Sequence, residues 1–134
     1  MKTKLFFLSL LTVSSLSVVA EPVYLDCKLN TEKEITSFSV KLDEQSNKIT
    51  HTYETGSAFN TEGFFTANTV SYKRVQISGS MEFITQYEIN REDLSLKYSL
   101  NIEPVDKEYL DKVKPINSTN TGSCTIVKQT PKAF

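Results

Sequence analysis

The chain has 134 residues, with 15 basic and 16 acidic side chains, one histidine, two cysteines and no tryptophan. One domain is expected at this length. A balance this close to neutral lacks the basic surplus needed to neutralise nucleic-acid phosphates, so DNA, RNA and anionic membrane surfaces are discounted as partners.

The first twenty residues have the layout of an export leader. Met1-Lys2-Thr3-Lys4 is a basic start, Leu5 to Leu11 is apolar except for Ser9, and Val18-Val19-Ala20 is a small-residue cleavage signal ahead of Glu21. The apolar run is too short to span a membrane, which takes about 20 residues. The expected organisation is therefore a signal peptide over 1–20 and a single β-domain over 21–134, in the periplasm or secreted. Without Lys2 and Lys4, 13 of the 15 basic residues face 16 acidic ones, a net charge of −3.

Export meets an oxidising compartment, where an even cysteine count points to a disulfide. Cys27 lies near the mature start and Cys124 near the end. A bridge between them closes almost the whole domain. Zinc is a poor alternative, because one histidine and no third thiol cannot complete a tetrahedral ligand set.

After Glu21 the chain alternates short strands and polar reversals. Val23, Leu25, Cys27 and Leu29 share one parity, a pleated strand with its cysteine inward. Phe38, Val40 and Leu42 carry the next inward face, and Ile49, His51 and Tyr53 a third. Glu54 to Gly63, with two of the four glycines, is expected to be a long loop. Val70 and Tyr72 share a parity that Val75 and Ile77 do not, which predicts a turn or bulge at Lys73-Arg74.

Met81 to Ile102 is the strongest element, a long hairpin around the polar linker Asn90 to Asp93. Met81, Phe83, Thr85, Tyr87 and Ile89 fall on one face, and Leu94, Leu96, Tyr98, Leu100 and Ile102 on the matching face of the return arm. Val105, Tyr109 and Val113 then repeat every four residues between Pro104 and Pro115, predicting a short helix near 105–113. Residues 115–122 are polar and turn-rich, and the last strand is expected over 123–128. The fold class is all-β: an antiparallel meander closed as a small barrel or flattened sandwich, with one short helix.

No catalytic, metal or cofactor set emerges. His51 alone would have to support any nucleophilic triad, and a structural or surface role is expected for it. Glu82, Glu88, Glu92, Asp93 and Glu103 fall on the polar face or in the turn, as a solvated surface does. Lys73, Arg74 and Arg91 are the concentrated positive features, and Ser78-Gly79 is a strand-entry turn or a projecting loop used on a partner; these five are the candidate partner contacts. Asn117-Ser118-Thr119 fits the glycan acceptor pattern and is taken as a turn. Tyr87 and Tyr98 are expected in the core and Tyr24 outside.

Tyr24-Leu25-Asp26-Cys27, Ile89-Asn90-Arg91 followed by Asp93-Leu94-Ser95-Leu96, and Gly122-Ser123-Cys124 ahead of Phe134 resemble small exported β-proteins of bacteria and phages with no assigned activity. That likeness implies a periplasmic β-domain. A second likeness, carried by the early and late cysteines and by Ser78-Gly79 with Phe83 shortly after, is to periplasmic inhibitors of C-type lysozyme. In this chain Ser78-Gly79 is followed by Ser80-Met81-Glu82-Phe83, so the aromatic falls one place later than in that family's Ser-Gly loop motif. Together these give a non-enzymatic, monomeric binding or envelope-associated domain for an unknown protein or small ligand, with no cofactor; the alternatives are a lysozyme inhibitor and a small hydrolase that would depend on His51.

Overall fold

The computed structural model describes residues 21–128. The expected leader over 1–20 and the last six residues lie outside that range. Nine strands follow in chain order: β1 Val23–Asn30, β2 Ile35–Asp43, β3 Lys48–Tyr53, β4 Ala58–Glu62, β5 Phe64–Phe65, β6 Thr69–Ser78, β7 Met81–Asn90, β8 Ser95–Pro104 and β9 Ile116–Val127. They form one antiparallel sheet in the order β4-β3-β2-β1-β9-β8-β7-β6-β5. Each strand thus pairs with the next in sequence except β4 and β5, which stand at the two ends of the order, and β1 and β9 meet where the chain's ends come together.

Gly63 alone separates β4 from β5, so residues 58–65 act as one bent stave. Its first part pairs with β3 and its last two residues with β6. The sheet is thereby nearly closed as a barrel of eight staves, a size whose interior side chains can just fill. Across the remaining gap the Thr61 hydroxyl donates to the Lys73 carbonyl at 3.2 Å. A Cβ on Gly63 would lie 2.5 Å from Ile49 Cδ1 and 2.8 Å from the Phe65 ring, so the corner needs glycine for close approach.

The other seam is covalent. Cys27 and Cys124 oppose one another in the β1–β9 register and are bonded, sulfur to sulfur. Two residue pairs away, Gly122 sits between Leu29 on β1 and Leu96 on β8. A Cβ there would run into the Lys28 carbonyl, which is backbone and cannot swing aside. Glycine at 122 lets the two terminal strands approach closely enough for the bridge.

The core lies inside the ring. Leu25, Val40, Ile49, Ile89 and Leu96 are all at most 2% exposed, with Phe38, Tyr72 and Tyr87 beside them. The two expected core tyrosines are placed as the alternation predicts: Tyr87 is buried and Tyr98 packs against the core, while Tyr24 lies on the opposite parity from Leu25 and Cys27.

Four expectations need correction. β6 pairs with β7 residue for residue from Thr69 to Ser78, with no bulge at Lys73-Arg74. Instead the inward parity continues through Arg74 and Gln76, and Val75 and Ile77 face outward. The expected loop 54–63 contains β4, whose Phe59 packs on the core and whose other residues are too polar to have signalled a strand. β9 begins at Ile116 rather than 123; the pairing with β8 holds Ile116–Ser123 as a strand, although most of its side chains are wetted. The helix expected near 105–113 is a single 3-10 turn, Lys107–Asp111, whose N-cap Asp106 carboxylate accepts from the Glu108 N–H at 3.1 Å. Val105, Tyr109 and Val113 are all exposed, so no buried face extends it.

Candidate functional site

The polar group most deeply enclosed is His51. It sits mid-way along β3, opposite Val40 and Phe59, and the inward parity that buries Ile49 takes the imidazole to 0% exposure. Aromatic rings enclose it. Phe38 and Phe59 stack on it at 4.3 and 4.9 Å between centroids, and Tyr87 tilts against it at 4.8 Å. Nδ1 lies 2.8 Å from the Tyr72 hydroxyl, and Nε2 has no partner among the described residues.

Electrostatics follow from that enclosure. Burial, assisted by the nearby Arg74 charge, lowers the His51 pKa to about 4, so the ring is neutral at pH 7. Burial likewise pushes the Tyr72 and Tyr87 hydroxyls up, and both remain protonated. Arg74 turns inward: its Nη1 donates to the Tyr53 hydroxyl at 2.7 Å, and the guanidinium lies 4.8 Å from the centre of the Phe59 ring. These groups knit the far half of the barrel interior. A substrate could reach His51 only by displacing the rings over it.

Two ends can now be distinguished. The near end holds the start of β1 and the end of β9; the far end holds the turn between β6 and β7. The five sequence-derived contacts do not converge on one surface. Lys73 points outward from the barrel wall, Arg74 inward, and Ser78 and Gly79 lie in the far turn. Arg91 is at the near end, in the reversal between β7 and β8, where both terminal nitrogens hold the Glu44 carboxylate at 3.1 and 2.9 Å and Nη1 also donates to the Thr66 carbonyl at 2.8 Å. That partner holds the Glu44 carboxyl below its usual range.

Sequence reasoning missed two surfaces. On the outer face of the far end, Val75 and Ile77 are 46% and 64% exposed, and Ile84 lies directly opposite Val75 on β7. The parity change at Arg74 was the signal, and it meant an outward apolar patch. At the near end a cup of about 250 Å³ opens into the barrel mouth. No family model, curated protein or solved structure matches the chain. Among the described residues, no cluster of three or more His, Cys, Asp or Glu could hold a metal ion, and no helix is long and apolar enough to cross a membrane.

Proposed function

We propose that the protein is a non-enzymatic binding domain, exported to the periplasm or beyond, that engages another protein through the outer face of its far end. The observation that carries this reading is the apolar patch of Val75, Ile77 and Ile84 beside an open strand edge. β5 pairs with β6 only at Val70 and Ser71, so on that side the backbone beyond Lys73 has no partner strand among the described residues. An unpaired edge next to exposed aliphatic groups offers hydrogen bonds and desolvation to one incoming segment. Lys73 on the same outer face borders the patch with a positive charge. Export is supported by the leader-like first twenty residues and by the Cys27–Cys124 bridge, which an oxidising compartment sustains.

The test is affinity capture from envelope extract with the purified oxidised chain and with a Val75→Lys/Ile77→Lys variant. Saturable capture of one protein by the parent chain and its loss in the variant is the expected result. Recovery of no saturable partner, or equal recovery by both, overturns the reading. A second reading, inhibition of a C-type lysozyme, is favoured by the stapled barrel that the likeness implies. Because Glu44 occupies Arg91, Lys73 is its better-placed cation; an unimpaired lysozyme at a stoichiometric excess of this chain discards it.

A further inference from the structure

We propose that the near end of the barrel holds a second binding site, for a short apolar group bearing an uncharged carbonyl. It stands independently of the far-end surface. The floor of the cup is Leu25, Leu42, Val70 and Ile89, none more than 8% exposed, and Phe65 and Leu94 are partly buried at its rim. Behind this floor the enclosed His51 cluster plugs the barrel, so the cup is a shallow recess rather than a channel. Its volume of about 250 Å³ matches roughly eight non-hydrogen atoms, taking the ~30 Å³ share of a water-sized group in a liquid.

The polar side of the cup selects the head group. Arg91, Glu44 and Glu21 line it. Glu44 already neutralises the guanidinium, and after cleavage ahead of Glu21 the new α-ammonium offsets that residue's carboxylate, so a ligand carboxylate would meet no net positive charge to repay its desolvation in the apolar cup. A neutral carbonyl avoids that cost and still finds a donor. The three hydrogen bonds of Arg91 use both N–H groups of Nη1 and one of Nη2. The Nε–H and the second Nη2–H have no partner among the described residues. A few polar groups above an apolar floor is the usual composition of a small-molecule site.

The test uses two probes of about eight non-hydrogen atoms, the uncharged hexanamide and the anionic hexanoate, titrated into the isotopically labelled oxidised chain at neutral pH and followed by amide chemical shifts. Hexanamide produces saturable shifts concentrated at Leu25, Leu42, Val70, Ile89 and Leu94, and binds at least tenfold tighter than hexanoate. Val23→Trp, which fills the cup from its partly exposed rim, abolishes the shifts while the rest of the spectrum keeps its dispersion. Arg91→Lys retains a cation beside Glu44 but loses the planar fork, and weakens hexanamide at least threefold. The proposal is overturned if hexanamide gives no saturable shifts, if the shifts fall at the far end, if hexanoate binds equally well, or if a folded Val23→Trp chain binds as the parent does.

Discussion

Acidification should weaken this fold through His51 as the pH falls from 6.5 towards 4. The unfolded chain takes up the proton near the ordinary value of 6.5, whereas the buried ring resists until about 4. Between those limits the unfolded state binds more protons, so unfolding free energy falls as pH falls. The contribution is complete above pH 6.5 and is lost on the way down to pH 4. At roughly 1.4 kcal/mol per unit of pKa difference, the loss is about 2 kcal/mol at pH 5 and about 3 kcal/mol near pH 4. Urea unfolding of the disulfide-intact chain at pH 7.5 and pH 5 measures it, against a His51→Gln variant that cannot charge. Glu44 and Asp93 are also held below their usual range, but they are present in both proteins and cancel in the difference. The stability gap between parent and variant should narrow by about 2 kcal/mol from pH 7.5 to pH 5. A gap that does not change with pH, or an imidazole resonance titrating near 6.5 in the folded chain, would show that burial does not keep His51 neutral.

Reducing the bridge should cost roughly 4–5 kcal/mol by loop entropy, given the 97-residue separation of its cysteines; urea midpoints with and without reductant measure it, and coincident curves would show that the seam holds without sulfur. Gly122→Ala should destabilise by roughly 2–3 kcal/mol, because its Cβ collides with backbone. Gly63→Ala should cost less, since the side-chain ends of Ile49 and Phe65 can move; thermal midpoints in the reverse order would mean that the backbone at Gly122 yields more readily than those side chains. Arg91→Ala should lower stability by less than about 1 kcal/mol, as is usual for an ion pair of partly exposed side chains. A larger loss in the urea midpoint would mean that the Thr66 contact organises the near-end turns.

The hairpin of β7 and β8 was legible from sequence because its inward side chains stay largely apolar along both arms, buried at Tyr87, Ile89 and Leu96 and partly buried beyond them, and period-two alternation is what one inward face produces. That alternation weakens where burial ends. Past Tyr72, β6 leaves the packed layer, so its inward Gln76 and Ser78 need no apolar character and its outward Val75 and Ile77 break the pattern without breaking the strand. The first half of β9 is wet on nearly every side chain, and only pairing to β8 defines it. His51 was visible as a residue of an expected strand, but its enclosure depends on Phe38, Phe59, Tyr72 and Tyr87 converging from four other strands. No local window contains that information. The near-end cup was hidden for the same reason, since its floor comes from β1, β2, β6 and β7.

Because the bridge joins the first strand to the last, nearly every reversal of the backbone lies within a single covalent ring. A protease that nicks one exposed turn, such as the one at Ser78–Ser80, opens the ring without releasing a fragment. The severed staves stay tethered to their neighbours at full effective concentration, and a once-cut molecule can keep its shape in surroundings rich in hydrolytic enzymes.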